Sequence, residues 1–175
     1  MRTFLSKITQ LTPVAAGLAA GLIAVGVVSV VAGNYTHSVV RTELAPQQIF
    51  FPKPAEYAVL KPYAGQQVLT GSQAQIFAND IIGVDTKEIS GGKTYAQLSN
   101  ASLNDPSNTG LANQVELVFR GDTLRGLLLN AYAFGFMGQI ALYGAIAAFF
   151  LALIMLLLVL LGIRHYRQID PEASI

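Results

Sequence analysis

Two long stretches of this 175-residue chain carry no charged side chain. The first lies between Lys7 and Arg41, and the second lies between Arg125 and Arg164. Charged residues make up 12% of the chain, about half the share of a typical globular domain. Uncharged apolar stretches of this length are typical of transmembrane helices. The pattern predicts a small integral membrane protein, and the net charge of +1 argues against nucleic acid as a partner.

The first predicted span covers residues 13–33, which are almost only Ala, Val, Gly, Leu and Ile. As a helix this run is roughly 30 Å long, enough to cross the hydrocarbon core of a bilayer. Pro13 suits the first turn of a helix, and Gly33 with Asn34 is a plausible helix end. A signal peptide cleaved after Ala32 is the alternative. The apolar run is longer than signal peptides usually have, which favours a retained anchor.

The second predicted span lies within residues 131–163, where an interfacial segment precedes the most apolar part of the chain. Aromatic and amide side chains in the interfacial segment suit the headgroup region of a bilayer. Apolar residues upstream also recur at helical spacing. The sequence therefore predicts a single long helix from about Leu111 to Arg164, with Gly121 and Gly126 as possible breaks.

Basic residues flank both spans and predict the orientation. Arg2 and Lys7 precede the first span, and Arg164 and Arg167 follow the second. Short basic flanks stay in the cytoplasm, whereas a long intervening loop crosses the membrane largely regardless of its charge. We therefore predict both termini in the cytoplasm, with residues 1–12 and 164–175 as cytoplasmic tails and residues 34–130 as an extracytoplasmic domain.

The predicted fold class is membrane α, a hairpin of two transmembrane helices carrying a small mixed, mainly helical extracytoplasmic domain. Proline-separated apolar pieces in the first half of this domain predict short extended segments, at 49–51, 57–60 and 67–70. The second half predicts helix. Ser72 with Gln75 is a candidate capping box, and apolar residues follow at helical spacing. Gly91 and Gly92 predict a turn, and Lys93–Leu98 a further helical turn.

Few residues offer catalytic or metal chemistry. The chain has no cysteine, which excludes disulfides and thiolate metal sites. His37 and His165 lie on opposite sides of the membrane in the predicted topology and cannot share a metal ion. Asp80, Asp85 and Glu88 lack the ligand spacing and the sharp-turn glycine of a calcium loop. We therefore predict no catalytic residue, no metal and no cofactor.

The segment Ser90–Thr94 resembles part of a phosphate-binding loop. A complete P-loop has a first glycine five residues before its second. Lys87 occupies that position here. A glycine turn followed by a helix, with Thr94 as its N-cap, explains the segment better.

Gly17 and Gly21 form a GxxxG motif inside the first span. Small residues at this spacing let two helices approach closely in a lipid environment. The motif predicts a helix-packing face, directed either at the second span or at another subunit.

The segment Ala74–Leu98, with SGGKTYAQL at 90–98, resembles a family of small actinobacterial two-span membrane proteins with a GGKTYAEL-like extracytoplasmic motif. The stretch LRGLLLNAYAFG at 124–135 resembles the helix that leads into the last span of that family. Gln97 stands where the family usually has an acidic residue. The resemblance covers residues 74–163 and implies an actinobacterial plasma-membrane protein.

Members of that family are often labelled as aromatic ring-opening dioxygenases. A non-haem iron oxygenase needs two histidines and one carboxylate around its metal. No two histidines of this chain can meet in the predicted topology, so we expect no enzyme. In size and topology the chain is also similar to accessory subunits of the actinobacterial cytochrome bcc–aa3 respiratory supercomplex.

The expected function is that of a non-catalytic accessory or assembly subunit of a larger plasma-membrane complex, with this supercomplex as the candidate complex. The expected partners are the lipid bilayer and other integral membrane subunits. Gly91, Gly92, Thr94 and Tyr95 are candidate docking residues on the external turn. The alternative is an independent cell-envelope protein whose external domain binds a small molecule or lipid in an aromatic pocket, formed by Phe50, Phe51, Tyr57, Tyr63 and Phe77.

Overall fold

The computed structural model describes residues 2–53 and 58–169 and is 86% helical. The α-helices are α1 (Arg2–Leu44), α2 (Gly71–Phe77), α3 (Gly83–Ser90), α4 (Tyr95–Asn104) and α5 (Thr109–Ile169). Two 3₁₀ turns, Ala45–Gln47 and Ala58–Tyr63, precede α2, and a π turn, Ala78–Ile82, joins α2 to α3. The described residues form no strand, and a single antiparallel bridge pairs Phe50 with Gln67.

Helix α1 is longer than the predicted span at both ends. It continues through Pro13 and through Gly33 and Asn34, so the helix ends predicted at these residues are wrong. A proline removes only one internal hydrogen bond, and an interior glycine costs about 1 kcal/mol, so neither has to end a long helix. The helix ends instead at Leu44, ahead of the 3₁₀ turn that contains Pro46.

Helix α5 confirms the single long helix predicted from about Leu111 to Arg164. It is uninterrupted over 61 residues, and neither Gly121 nor Gly126 breaks it. Gly121 instead permits a close contact, because a Cβ atom there would lie 2.3 Å from Oγ1 of Thr86. This glycine is a packing position and not a break.

Both α1 and α5 are long and apolar enough to cross a membrane. In each helix only 11% of the most apolar 18-residue window is buried. A core helix of a water-soluble protein would be mostly buried, so the low value agrees with helices that face lipid.

The chain forms two compact units. The first consists of residues 1–34 and 139–175, and the second of residues 35–138. In the first unit the buried positions are small residues. On α1 these are Ala19, Gly26 and Gly33, seven residues apart, and on α5 they are Ala145, Ala148 and Ala152. Such spacing is typical of two helices packed at a shallow angle with interlocking side chains.

The second unit has an aliphatic and aromatic core. Phe51 is 2% exposed, and its ring stacks on Tyr63 at 5.2 Å and meets the edge of Phe77 at 5.5 Å. Further buried residues complete this core: Val40, Leu44, Leu60, Val68, Ala74, Ala78 and Leu128. The N–H groups of Phe51 and Val68 donate to the carbonyl groups of Gln66 and Ile49, which joins the two extended pieces on either side of the core.

Two local predictions in this unit are wrong. Residues 58–60 belong to the 3₁₀ turn and are not extended, because this turn buries Leu60 in the core. Residue 57 lies outside the described residues. The capping box of α2 is Thr70 with Gln73, two residues before the predicted Ser72 and Gln75. The earlier pair has a threonine in place of the serine, which caps a helix in the same way, and it leaves Gly71 inside the helix, where it is buried.

Close backbone contact holds α2 against α5 in the second unit. A Cβ atom on Gly135 would lie 3.1 Å from the Cα of Gly71, and a Cβ on Gly71 would lie 3.0 Å from the carbonyl oxygen of Ala131. Side chains larger than hydrogen would separate the two helices. These two glycines therefore position the helix that leads through the π turn into α3.

Candidate functional site

The glycine turn after α3 confirms the predicted turn at Gly91 and Gly92. Both residues have positive φ, 60° and 78°, which L side chains rarely adopt. The Gly91 N–H donates to the carbonyl of Glu88 at 3.1 Å, and the Gly92 N–H donates to that of Lys87 at 3.0 Å. The turn thus satisfies the last carbonyl groups of α3 and reverses the chain.

Thr94 is the N-cap of α4, as predicted, and α4 is longer than the single turn expected. The Gln97 N–H donates to Oγ1 of Thr94 at 3.3 Å, and the Thr94 N–H donates to Oε1 of Gln97 at 2.9 Å. The Tyr95 ring lies 5.7 Å from the ring of Phe119. All four predicted docking residues of this turn are exposed and adjacent.

A polar cavity of about 640 Å³ lies beside this turn in the second unit. Gly92, Lys93, Thr94 and Tyr95 line one side of it. Two helical faces supply the rest of the lining. One runs from the π turn through α3, and the other lies on α5. The charged residues in the lining are Lys87, Lys93, Asp122 and Arg125.

Arg125 is the most enclosed charged group of this cavity. Its Nη2 donates to Oδ1 of Asn79 at 3.0 Å. Its Nε atom is buried and has no hydrogen-bond partner. Gly83 leaves room for it, because a Cβ on Gly83 would lie 3.4 Å from this Nε. Arg125 therefore brings a cationic side chain to the cavity lining, and its buried Nε is an unsatisfied donor.

Asn79, Lys87 and Arg125 were not predicted as site residues. The signal that could have found them is periodicity. Residues 79, 83, 86, 87 and 90 share one helical face, and residues 118, 122 and 125 share another. Each face combines small or polar residues with a basic one, although nothing in the sequence indicates that the two faces meet.

A second cavity in this unit, of about 560 Å³, is largely apolar. Its lining comes from residues 39–49, from Phe77 and Ile82, and from α5. The larger side chains of the lining are Leu44, Ile49, Phe77, Leu127, Leu128 and Phe134. Glu43, Gln47 and Asn130 are the polar side chains of the lining. Cavities of this volume hold small apolar ligands in other proteins.

The aromatic residues predicted to form a pocket do not line one cavity together. Phe51 and Tyr63 belong to the core, where they stack on each other. Phe50 is 53% exposed, and Tyr57 lies outside the described residues. Phe77 alone of the described members lines the apolar cavity. Seven of the fourteen lining residues of that cavity are aliphatic residues of α1 and α5.

The GxxxG motif lies away from the buried seam of the first unit. This seam is formed by the small buried residues of α1 and α5, namely Ala19, Gly26, Gly33, Ala145, Ala148 and Ala152. Gly17 and Gly21 are exposed, and a Cβ on either would meet no atom of the chain within 4 Å. At 100° per residue, both glycines are about 160° around the helix from the buried Ala19. The glycine that packs against the second span is Gly26, whose Cβ would lie 2.7 Å from the Phe149 ring.

Among residues 2–53 and 58–169, no three His, Asp or Glu side chains lie together in a group that could hold a metal ion. His37 belongs to the second unit and His165 to the first. Asp80, Asp85 and Glu88 lie on the π turn and α3 without forming such a cluster.

Comparison with known proteins adds no relative. The sequence matches no protein-family model, no curated protein and no solved structure.

Proposed function

We propose that this chain is a non-catalytic accessory or assembly subunit of a larger plasma-membrane complex. In this proposal α1 and α5 both cross the membrane, both termini are cytoplasmic, and the second unit is extracytoplasmic. The observation that carries the proposal is the exposed GxxxG face of α1.

Lipid tails are as apolar as the side chains of a membrane helix, so leaving the lipid brings a helix no hydrophobic gain. Helices in a membrane therefore associate through close packing. The hairpin already uses one face of α1 for its own packing, with Ala19 and Gly26 buried there. Gly17 and Gly21 lie on a different face, where the chain offers them no neighbour. A helix of another subunit is the partner that this second small face suits.

The similarity in size and topology to accessory subunits of the actinobacterial respiratory supercomplex makes that complex the first to test. In the proposed orientation, the exposed turn formed by Gly91, Gly92, Thr94 and Tyr95 supplies a second contact outside the membrane. The hydrogen bonds of Gly91 and Gly92 to the end of α3 and the capping box of Thr94 constrain its conformation before binding, which lowers the entropic cost of docking.

The test is purification of the tagged chain from its native membrane in a mild detergent. We expect stoichiometric partner subunits in the wild-type preparation and their loss from Gly21→Leu. Gly144→Leu is the matched control, because Gly144 is an equally open glycine on α5. A lone monomer from wild type, or equal partner recovery with Gly21→Leu, would contradict the proposal.

The apolar cavity favours a second candidate, an envelope protein whose external domain binds a small apolar molecule or a lipid. The supporting observation is its volume of about 560 Å³ with an almost wholly apolar lining. Glu43, Gln47 and Asn130 would orient a ligand that has one polar end.

Mass spectrometry of the purified protein tests this candidate by counting the lipids retained after an extensive detergent wash. Leu127→Trp should fill the cavity and lower the retained lipid, because Leu127 is part of its lining. Leu117→Trp is the control, since Leu117 is exposed on α5 and outside the lining. Equal retention by the two variants would argue against binding in the cavity.

A further inference from the structure

The polar cavity carries an excess of positive charge that the second unit as a whole lacks. Residues 35–138 contain seven basic and eight acidic residues. The cavity lining contains three basic side chains and one acidic one. Asp85 and Glu88 lie on α3 but do not line the cavity. The basic groups thus converge on one place from three separate elements, namely α3, the glycine turn and α5.

No ion pair joins these basic groups to a carboxylate in the described chain. The one salt bridge there links Arg120 with Glu116, on exposed positions of α5. Asp122 lines the cavity without pairing to Arg125, although the two are three residues apart on the same helix. The positive charge of the cavity is therefore available to a ligand.

The guanidinium of Arg125 indicates the type of ligand. Its Nη2 donates to Asn79, and its buried Nε has no acceptor. An unsatisfied buried donor is unfavourable, and more so on a charged group. A planar guanidinium binds oxyanions through two parallel hydrogen bonds, so an oxyanion is the ligand that this side chain suits best.

The start of α4 adds neutral donors to the same cavity. Thr94 and Tyr95 are in the lining, and they are the N-cap and first residue of a ten-residue helix. The capping box satisfies the N–H groups of Thr94 and Gln97, which leaves those of Tyr95 and Ala96 without an acceptor in the helix. The helix N-terminus also carries a partial positive charge. Lys93 directly precedes the N-cap and follows the two positive-φ glycines.

We propose that the polar cavity binds a phosphoryl oxyanion, supplied by a small soluble molecule or by a lipid headgroup. The net charge of +2 in the lining matches a phosphate group, which carries close to two negative charges at neutral pH. The volume exceeds what one phosphate fills, which leaves room for an attached organic group beside Tyr95. This site uses the Ser90–Thr94 segment without the geometry of a P-loop.

Calorimetric titration of the full chain in maltoside detergent micelles, which contain no phosphate, tests the proposal, with inorganic phosphate as the probe for the soluble source. A second titration repeats the measurement in micelles of the same detergent mixed with phosphatidylglycerol. Saturable phosphate binding in the first preparation, lost in the second, assigns the cavity to a lipid headgroup. Equal binding in both assigns it to a soluble phosphoryl compound.

Side-chain changes locate the binding in the cavity. Lys93→Gln and Arg125→Gln should each weaken phosphate binding about tenfold, because each removes a charge-assisted hydrogen bond. Asp122→Asn should strengthen it several-fold by removing the one negative charge of the lining. Lys93 and Asp122 are exposed, so their variants should fold even if Arg125→Gln does not.

Arg120→Gln is the matched control for Arg125→Gln, because it removes the same charge from another position of α5 outside the lining. It should leave phosphate affinity unchanged. Absence of saturable phosphate binding in the phosphate-free maltoside micelles would overturn the proposal. Equal weakening by Arg120→Gln and Lys93→Gln would overturn it too, since that result would mean general charge attraction.

Discussion

The two units of the chain bury different kinds of side chain. In the first unit the seam is made of glycine and alanine, and bulky residues such as Val28 and Leu160 are exposed. In the second unit the core is made of Phe51, Leu60 and Val68, all at most 2% exposed. Membrane helices associate by close approach, whereas a domain surrounded by water gains from burying large apolar groups. The contrast agrees with one unit in lipid and one in water.

The largest expected effect is loss of an aromatic side chain from the core of the second unit. Phe51→Ala should destabilise this unit by about 3–5 kcal/mol, because it removes buried area and leaves a cavity between Tyr63 and Phe77. Resistance to proteolysis of this unit in the purified protein measures the effect. Phe50→Ala is the control, since Phe50 is exposed, and similar sensitivity of the two variants would refute the assigned core.

Overpacking the contact between α3 and α5 should cost less. Gly121→Ala places a methyl group against the buried Thr86 and should destabilise the second unit by about 2 kcal/mol. Adding Thr86→Ala should recover part of this loss. Gly126→Ala meets no atom within 4 Å and should be neutral or slightly stabilising. Chemical denaturation compares the variants, and equal stability of Gly121→Ala and Gly126→Ala would contradict the contact.

A similar substitution in the first unit sharpens the comparison. Gly26→Leu forces the Phe149 ring to move and should loosen the hairpin by about 1–2 kcal/mol. The ring is 38% exposed and has space to turn, which limits the cost. Thermal unfolding in detergent, followed by circular dichroism, should give a lower midpoint than for Gly144→Leu. Matching midpoints would place the seam elsewhere on α1.

The smallest effect is expected at the helix cap beside the polar cavity. Thr94→Ala removes the acceptor for the Gln97 N–H and should cost about 1 kcal/mol. Thr94→Ser keeps the hydroxyl group and should retain most of the stability. Hydrogen exchange of the first amide groups of α4 reports this change, and equal protection in the alanine and serine variants would rule out the cap.

Local signals in the sequence predicted several elements correctly. The glycine turn, the Thr94 cap and the long helix α5 each follow from residues close together in the chain. The end of α1 does not follow from nearby residues. Gly33 and Asn34 are weak helix breakers, and the burial of Val40 and Leu44 against residues distant in the chain extends the helix past them. Tertiary packing decides such cases, and a single sequence does not reveal it.

The candidate sites were harder to predict for the same reason. Gly17 and Gly21 carry a recognisable motif, but which face of α1 meets α5 depends on the seam positions at Ala19 and Gly26. The polar cavity joins Lys87 of α3 to Arg125 of α5. Their proximity comes from the close contact at Gly121, and a glycine inside a helical pattern equally suggests a break.

The π turn between α2 and α3 has a consequence for changes in chain length. Gly71, Ala74 and Ala78 share the buried face before the turn, and Thr86 and Ser90 share it afterwards. The Gly83 N–H donates to the carbonyl of Ala78, one residue farther back than in an α-helix. If α-helical spacing continued unbroken from Ala78, residues 85 and 89 would lie on the buried face in place of Thr86 and Ser90.

The turn thus accommodates one inserted residue while both flanking faces keep their phase. Deleting one residue within 78–82 should give a regular helix that still buries the side chains of Thr86 and Ser90. The same deletion between Thr86 and Ser90 would rotate Ser90 by about 100° relative to Thr86 and turn it away from the buried face. We therefore expect chains of this type to differ in length at the π turn and to keep the spacing from Thr86 to Ser90 constant.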